Sequence, residues 1–370
     1  MGYAPESRVA CPNLQDRLVS LYELNCDPSL MRTPAPLSDF LWSDTNRSGL
    51  QLALNPGNGK LKTVTATYDQ RFLESEVTAS DLTEQLCVAT TKRGNLSTEF
   101  SIDPTDGLKV EEKFNTADWI YACEQNDDII VHEIQKMLNA LYEKNATRIT
   151  QRVAALLGNW DKTVYTADNT ITEGGVKYLK IQTKRPSSFL DINPDAMEDI
   201  SFAIEQTSFC QQGVVFSGRS ISKYAKTMNA GCCSSQGIAL DEMLALYGQA
   251  VVYDRRVQRF SGGPDYAWVI MPKALQPVYY TANNDKLAQA VRRLTGQAEG
   301  NFTGANYWKT VVQDPESGMP ADFILSDNCG TLSAIMRNVV DVKPLPLDMF
   351  APGDDMEGVR FVTGLKVENA

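Results

Sequence analysis

One helix-patterned segment, Asn126 to Gly158, constrains this chain more than any other feature. Apolar residues recur at Ile130, Ile134, Met137/Leu138, Leu141, Ile149, Val153 and Leu156, the three-and-four spacing that lines one face of an α-helix. At 1.5 Å per residue, about thirty residues make a rod of roughly 45 Å, far longer than an ordinary globular helix. Asn126 and Asp127 offer a cap at its start, and Gly158-Asn159 a stop at its end. Polar, Thr-rich, strand-like sequence precedes it, and mixed helix and strand patterns follow. One rod with unlike pieces on its two sides predicts a scaffold whose other contacts are made between subunits.

Charge and composition remove several classes. The 370 residues suffice for about two or three core-bearing units, and 43% apolar content is that of a globular protein. With 46 acidic against 35 basic residues and a net charge of −11, a large nucleic-acid-binding face is not expected. No apolar run reaches membrane-spanning length. The start, Met1-Gly2-Tyr3-Ala4-Pro5-Glu6, lacks a basic region followed by an apolar core, so no secretory signal is expected. Glu6 stands where a myristoylation site needs Ser or Thr.

The eight cysteines (Cys11, Cys26, Cys87, Cys123, Cys210, Cys232, Cys233 and Cys329) include no Cys-x-x-Cys pair. The adjacent Cys232-Cys233 suits neither a shared disulfide nor zinc. Reduced, mostly buried thiols of a protein folding in a cytoplasm are predicted. Without an export signal, the Asn-x-Ser/Thr triplets at Asn46, Asn95, Asn145 and Asn301 are chance matches.

Residues 1–60 read as an arm. A short amphipathic piece (Leu14, Leu18, Leu21) leads into irregular sequence through Pro28, Pro34, Pro36 and Pro56, and such a segment must lie along something else. From Lys60 to Asn115 the texture is that of strands: Lys60–Tyr68, Leu86–Thr91 and Ser97–Ile102, with turns at Lys92–Asn95 and Asp103–Gly107. They read as an extended hairpin polar on both faces, marginal unless it leans on a neighbour.

Beyond the rod, strands are expected at Thr163–Tyr165 and Tyr178–Gln182, around the Gly174-Gly175 turn. Helices are expected at Asn193–Phe209 (Pro194 in the first turn), from Ser217-Gly-Arg-Ser220 through Ile221, Tyr224 and Met228, and at Leu240–Tyr247. Further strands read at Gly213–Phe216, Gln249–Tyr253, the almost wholly apolar Tyr266–Met271, Gln276–Tyr280, Phe323–Leu325, Thr331–Val342 and Val359–Val362. A turn is expected at Ser261–Pro264. No internal repeat or low-complexity tract is present.

Chemistry is sparse. The only histidine, His132, sits on the rod with Asp128 and Lys136 at helical spacing, not the partners a metal site would need. Gly213-Val-Val-Phe-Ser217-Gly218 brings a serine to a strand–helix junction but lacks the Gly-x-Ser-x-Gly elbow. With His132 as the one imidazole, a hydrolase triad is not expected. Neither a phosphate-binding loop nor a dinucleotide turn occurs. Asp127-Asp128 and Asp254-Arg255-Arg256 read as ion-pair partners or solvated charges. No catalytic, cofactor or metal site is expected.

The order of these pieces resembles major capsid proteins of tailed bacteriophages with the Hong Kong 97-type fold. The axial part carries most of the likeness. Helix Asn193–Phe209, strand Gly213–Phe216 and Ser217-Gly-Arg-Ser-Ile-Ser-Lys-Tyr224 match that family's helix, strand and following helix. Leu246–Asp254 and Asp265–Ala274 resemble its next strands. The tail, with Phe323–Cys329 and Leu345–Phe350, resembles capsid proteins of phages infecting Bacteroidetes.

The resemblance implies an α+β fold: an N-terminal arm (1–59), an extended hairpin loop (60–115), a peripheral region (116–192) with the spine helix (126–158), an axial domain (193–320) and return strands (321–370). It implies a shell subunit forming hexamers and pentamers of a virion head, assembled in the host cytoplasm. Its partners would be a portal, decoration or scaffolding proteins, and non-specifically packaged double-stranded DNA, with no membrane. Subunit contacts are expected at Asp69, Arg71, Arg93, Asp254, Arg255 and Arg256. The family's lysine–asparagine crosslink has no selectable pair here. The alternatives are an encapsulin-type nanocompartment shell, or an α/β enzyme with its site near Ser217–Arg219 or Asp254–Arg256.

Overall fold

A computed structural model describes residues 14–16, 18–19, 31–43, 51–55, 62–69, 95–103, 105–125, 128–157, 170–184, 193, 195–196, 198–201, 213–229, 250–270, 272, 275–280, 307–328, 331–344 and 362–368. They form a mixed α+β fold of three sheets and one long helix. In chain order the helices are α1 (Pro36–Trp42), α2 (Thr116–Gln125), α3 (Asp128–Leu156), α4 (Arg219–Asn229) and α5 (Arg255–Phe260). Strands β1 (Gln51–Asn55), β2 (Lys62–Asp69) and β3 (Asn95–Ile102) make an antiparallel three-stranded sheet.

A five-stranded antiparallel sheet is built on β13 (Thr331–Pro344). It pairs β12 (Pro320–Asn328) and β4 (Leu108–Asn115) along its first half and β10 (Leu275–Tyr280) along its second. β11 (Tyr307–Gln313) lies beyond β12. The six-stranded sheet runs β5 (Thr170–Glu173), β6 (Val176–Ile181), β14 (Val362–Val367), β9 (Tyr266–Ile270), β7 (Val214–Ser217), β8 (Ala250–Tyr253). Its β6–β14 and β7–β8 pairs are parallel and the rest antiparallel.

The expected rod is α3, 29 residues long. Val131, Ile134, Met137, Leu138, Leu141, Tyr142, Ala146, Ile149 and Val153 are all buried, and the stripe closes on Leu157 rather than Leu156. This face lies across β13 and β4. The gap in the apolar pattern between Leu141 and Ile149 is filled by Asn145, whose Nδ2 donates to Asn338 Oδ1 at 2.9 Å, while Asn338 Nδ2 donates to the Pro320 carbonyl at 3.0 Å. A buried amide pair with its own acceptor offsets much of the desolvation cost there. The expected caps at Asn126, Asp127 and Gly158-Asn159 lie outside the described residues.

The six-stranded sheet is covered on both faces, as period-two alternation requires. Trp268, Ile270, Phe216 and Val362 enter the main core with α3, whereas Ala267, Val269, Val215, Leu365 and Leu179 meet Ile221 and Tyr224 of α4. Gly174 (φ 58°) and Gly175 (φ 81°) make the two-residue β5–β6 turn, where two left-handed residues match the strand twist. Gly218, at the β7–α4 junction, admits no side chain: a Cβ there would lie 2.4 Å from the Pro264 carbonyl oxygen.

Several sequence expectations need correction. Residues 36–42 are helical, not irregular: Pro36 opens α1, and Leu37, Leu41 and Trp42 are buried. Proline costs nothing at a helix start, where its missing N–H has no partner to lose. Residues 116–125 form α2 ahead of the rod, and β1 and β11 were not anticipated. The last strand begins at Val362 and continues to Val367, whereas the sequence placed it at Val359–Val362.

The three-stranded sheet is antiparallel throughout. Its register sets Leu52 and Leu54 opposite Ala66 and Val64, and Val64 and Tyr68 opposite Phe100 and Leu96. Strands expected at Leu86–Thr91 and Thr163–Tyr165, most of the helix at Asn193–Phe209, and the helix at Leu240–Tyr247 lie outside the described residues, as do all eight cysteine side chains.

Candidate interaction surfaces

The segment leading into α1 is held down by polar contacts from both sides. Arg32 Nη1 meets Asp314 Oδ2 at 2.7 Å, its Nη2 pairs with Glu316, and its guanidinium lies 3.8 Å from the Tyr142 ring centroid. Asp314 begins the β11–β12 turn, where Gly318 takes φ 69° and the Ser317 N–H donates to Asp314 at 2.9 Å. Such an Asx turn preorients the carboxylate that receives Arg32. The Thr33 N–H donates to Glu143 at 2.5 Å. Upstream, the Gln15 side-chain amide pairs both ways with the backbone of Gln313 (3.0 and 2.9 Å), occupying β11 like one more peptide.

On its other side the segment meets α5. Asp254 caps that helix, accepting from Arg256 N at 2.7 Å and Val257 N at 3.3 Å, and also accepts from Leu37 N at 3.0 Å. Arg256 Nη1 donates to the Pro34 carbonyl at 2.7 Å. Phe40 packs at a tilt against Phe216 (ring centroids 5.5 Å apart) and Trp42 likewise against Tyr279 (6.0 Å).

Burial pushes the Asp39 carboxyl upward, and the Tyr142 hydroxyl that donates to it and the nearby Arg32 charge only partly oppose this. Burial first, then the Asp39 charge, raises the Tyr142 phenol far out of range. Around Arg32, burial works against the cation, but Asp314, with Tyr142 and Glu316, more than restores it. A carboxyl raised in the fold favours folding below its unfolded pKa and loses that contribution as pH rises through the folded value. Asp39 is therefore expected to titrate above the usual carboxylate value of about 3.9, and Arg32→Gln to raise it further. Carbon-detected NMR titration of the side-chain carboxyl checks both; a midpoint unchanged by the substitution would mean that Arg32 does not act on it.

The expected contact residues divide. Asp69 ends β2, opposite Asn95; Arg71 and Arg93 lie outside the described residues. Asp254 is fully buried and Arg256 nearly so, both turned toward residues 34–37 of the same chain, while Arg255 is exposed. Ser217 is fully buried, its Oγ 3.4 Å from the Val252 carbonyl, so it is not presented as a nucleophile. His132 is half-buried on α3. Among the described residues no cluster of His, Cys, Asp or Glu is arranged to hold a metal, and no helix is long and apolar enough to cross a membrane.

A second polar cluster ties the β3–β4 turn to α3. Asp106 receives Arg148 (3.1 Å) and Arg152 (3.4 Å), and Arg152 also reaches Asp341 at 3.5 Å, which pairs with Lys343 at 2.7 Å. Exposed pairs contribute about 0–1 kcal/mol each. Neither cluster was read from the sequence. Asp314-Pro315-Glu316-Ser317-Gly318 carries a turn signature that was legible, but its partner Arg32 lies 282 residues away.

No family model matches the sequence, and no curated protein matches it. Solved structures do. The chain is similar to the capsid of Myoviridae phage XM1 (11% identity, TM-score 0.32, covering 94% of this chain and 98% of that one). It is similar to the cyanophage A-1(L) capsid (10%, TM-score 0.41, 90% and 92%) and to a virus-like particle from Pyrococcus furiosus (11%, TM-score 0.40, 96% and 98%). These likenesses do not support the expected placement among Bacteroidetes-infecting phages.

Proposed function

We propose that this chain is a shell-forming subunit that assembles into hexamers and pentamers of an icosahedral head around double-stranded DNA. The observation that carries the reading is the three-stranded sheet. Its antiparallel strands carry Leu52, Leu54, Val64, Tyr68, Leu96 and Phe100 in sequence, and its base is tied to the body where Ile102 packs with Val278 and Val339. Three strands are the least that is stable, and only with their apolar residues covered. A neighbouring copy covers them here, through the repeated interfaces of a closed shell. In this reading residues 1–59 are the arm, 60–115 the hairpin region, 116–192 the peripheral region with α3 as its spine, 193–320 the axial domain and 321–370 the return strands.

A portal and decoration or scaffolding proteins are the expected partners, and the head is assembled in the host cytoplasm. The acidic balance of the chain suits a wall that repels packaged DNA, which then moves without base-specific contacts. Electron microscopy of the assembled protein is the direct test. Large DNA-filled shells support the reading, small cargo-loaded shells indicate a nanocompartment, and a well-behaved monomer under all conditions rejects it. Charge at the hairpin sets contacts repeated at every interface, so Arg71→Glu or Arg93→Glu is expected to lower shell yield while leaving soluble, folded protein. Circular dichroism and particle counts check this; normal shells from both variants would remove these charges from assembly.

A further inference from the structure

We infer that Arg32 to Trp42 form a latch that opens and closes apart from unfolding of the sheets. The segment belongs to no sheet. Residues 31–35 lie in neither helix nor strand, and α1 is seven residues long. Leu37, Leu41 and Trp42 are buried in the main core, but that gain is opposed by the entropy of ordering a stretch with so little regular structure. The polar anchors therefore decide whether it is docked.

Those anchors come from two separate places in the fold. Arg32 and the Thr33 N–H are held by Asp314 at the β11–β12 tip and by Glu143 on α3. Pro34 O and Leu37 N are held by Arg256 and Asp254, at the end of β8 and the start of α5. Closed, the latch covers one side of the main core, with Phe40 against Phe216 and Trp42 against Tyr279; open, it uncovers that side while the core itself still joins the six-stranded sheet to α3. The Arg32 side chain is 9% exposed; its partner Asp314 is fully buried, while its other partner Glu316 is 42% exposed, so the Arg32–Glu316 pair is the part of this end within reach of salt. Segments with few ladder hydrogen bonds and charge-dependent anchors supply the low-energy openings of native proteins. This inference stands on the geometry of one chain and holds whether or not the chain forms shells.

Hydrogen exchange on the full chain tests it, comparing the Thr33 and Leu37 amides with the Met336 amide of β13. Thr33 and Leu37 are expected to exchange at least about 10-fold faster than Met336, as sub-global opening requires. Arg32→Gln is expected to speed them several-fold more and leave Met336 unchanged. In the wild type, raising salt to about 1 M, where the screening length is near 3 Å, is expected to act in the same direction, and to act little in the variant. Equal protection of strap and strand amides overturns the inference. So does a substitution that speeds all of them by a common factor, or strap exchange that responds to neither Arg32→Gln nor salt.

Discussion

Asp254→Ala is expected to lower the unfolding free energy of the protein by about 3–5 kcal/mol, read from urea titration at constant m. Asp254 is fully buried, and its carboxylate accepts three backbone N–H groups, from Leu37, Arg256 and Val257. Truncation leaves all three without that acceptor. An orphaned buried donor costs about 1–3 kcal/mol, and loss of an N-cap alone about 1 kcal/mol. Asp254→Asn keeps one acceptor oxygen and is expected to cost about half as much. The measurement also separates two roles. A residue working only between subunits would lose shell yield with the subunit's stability intact. A loss below about 1 kcal/mol would return Asp254 to the surface role its sequence neighbourhood suggested.

That neighbourhood shows what the sequence could and could not reveal. Asp254-Arg255-Arg256 looks like a charge cluster, and charge clusters are mostly solvated. Yet Asp254 follows a strand and precedes Val257 and Phe260, so Asp at an N-cap position was a local, legible alternative. What could not be read was Leu37, 217 residues earlier, as the third donor. The same limit applies to Arg32 and Asp314. Periodicity within one window identified α3, β7, α4, β9, β10, β12 and β13, because each buries a face whose spacing lies inside the element.

The misreadings came from short elements whose partners are distant. α1 has only two turns and was hidden by Pro36, a residue that breaks a helix inside but starts one at its first position. In the three-stranded sheet, Thr-rich β2 alternates Val64, Ala66 and Tyr68 with Thr63, Thr65 and Thr67. Alternation was present in the sequence. It gained meaning only once β1 and β3 set Leu54 and Phe100 beside Val64, because one strand alone does not say which face its neighbours extend.

Trp119→Ala is the other large effect, expected to cost about 3–5 kcal/mol, as for deletion of a fully buried indole. Trp119 projects from α2 with no exposed surface, its ring 5.9 Å from Phe114 on β4 and 6.1 Å from Phe323 on β12. It therefore joins a helix the sequence pattern did not predict to the five-stranded sheet that also carries α3. Tilted aromatic pairs add about 0.5–1.5 kcal/mol each beyond burial, and the alanine variant loses both and leaves a cavity. Trp119→Phe keeps a ring between Phe114 and Phe323 and is expected to recover more than half of the loss. Urea midpoints of the three proteins decide the matter. If Trp119→Ala cost less than about 1 kcal/mol, the scale of an exposed substitution, α2 would not be docked on this sheet, and the main core would have to close over β4 and β12 by other means.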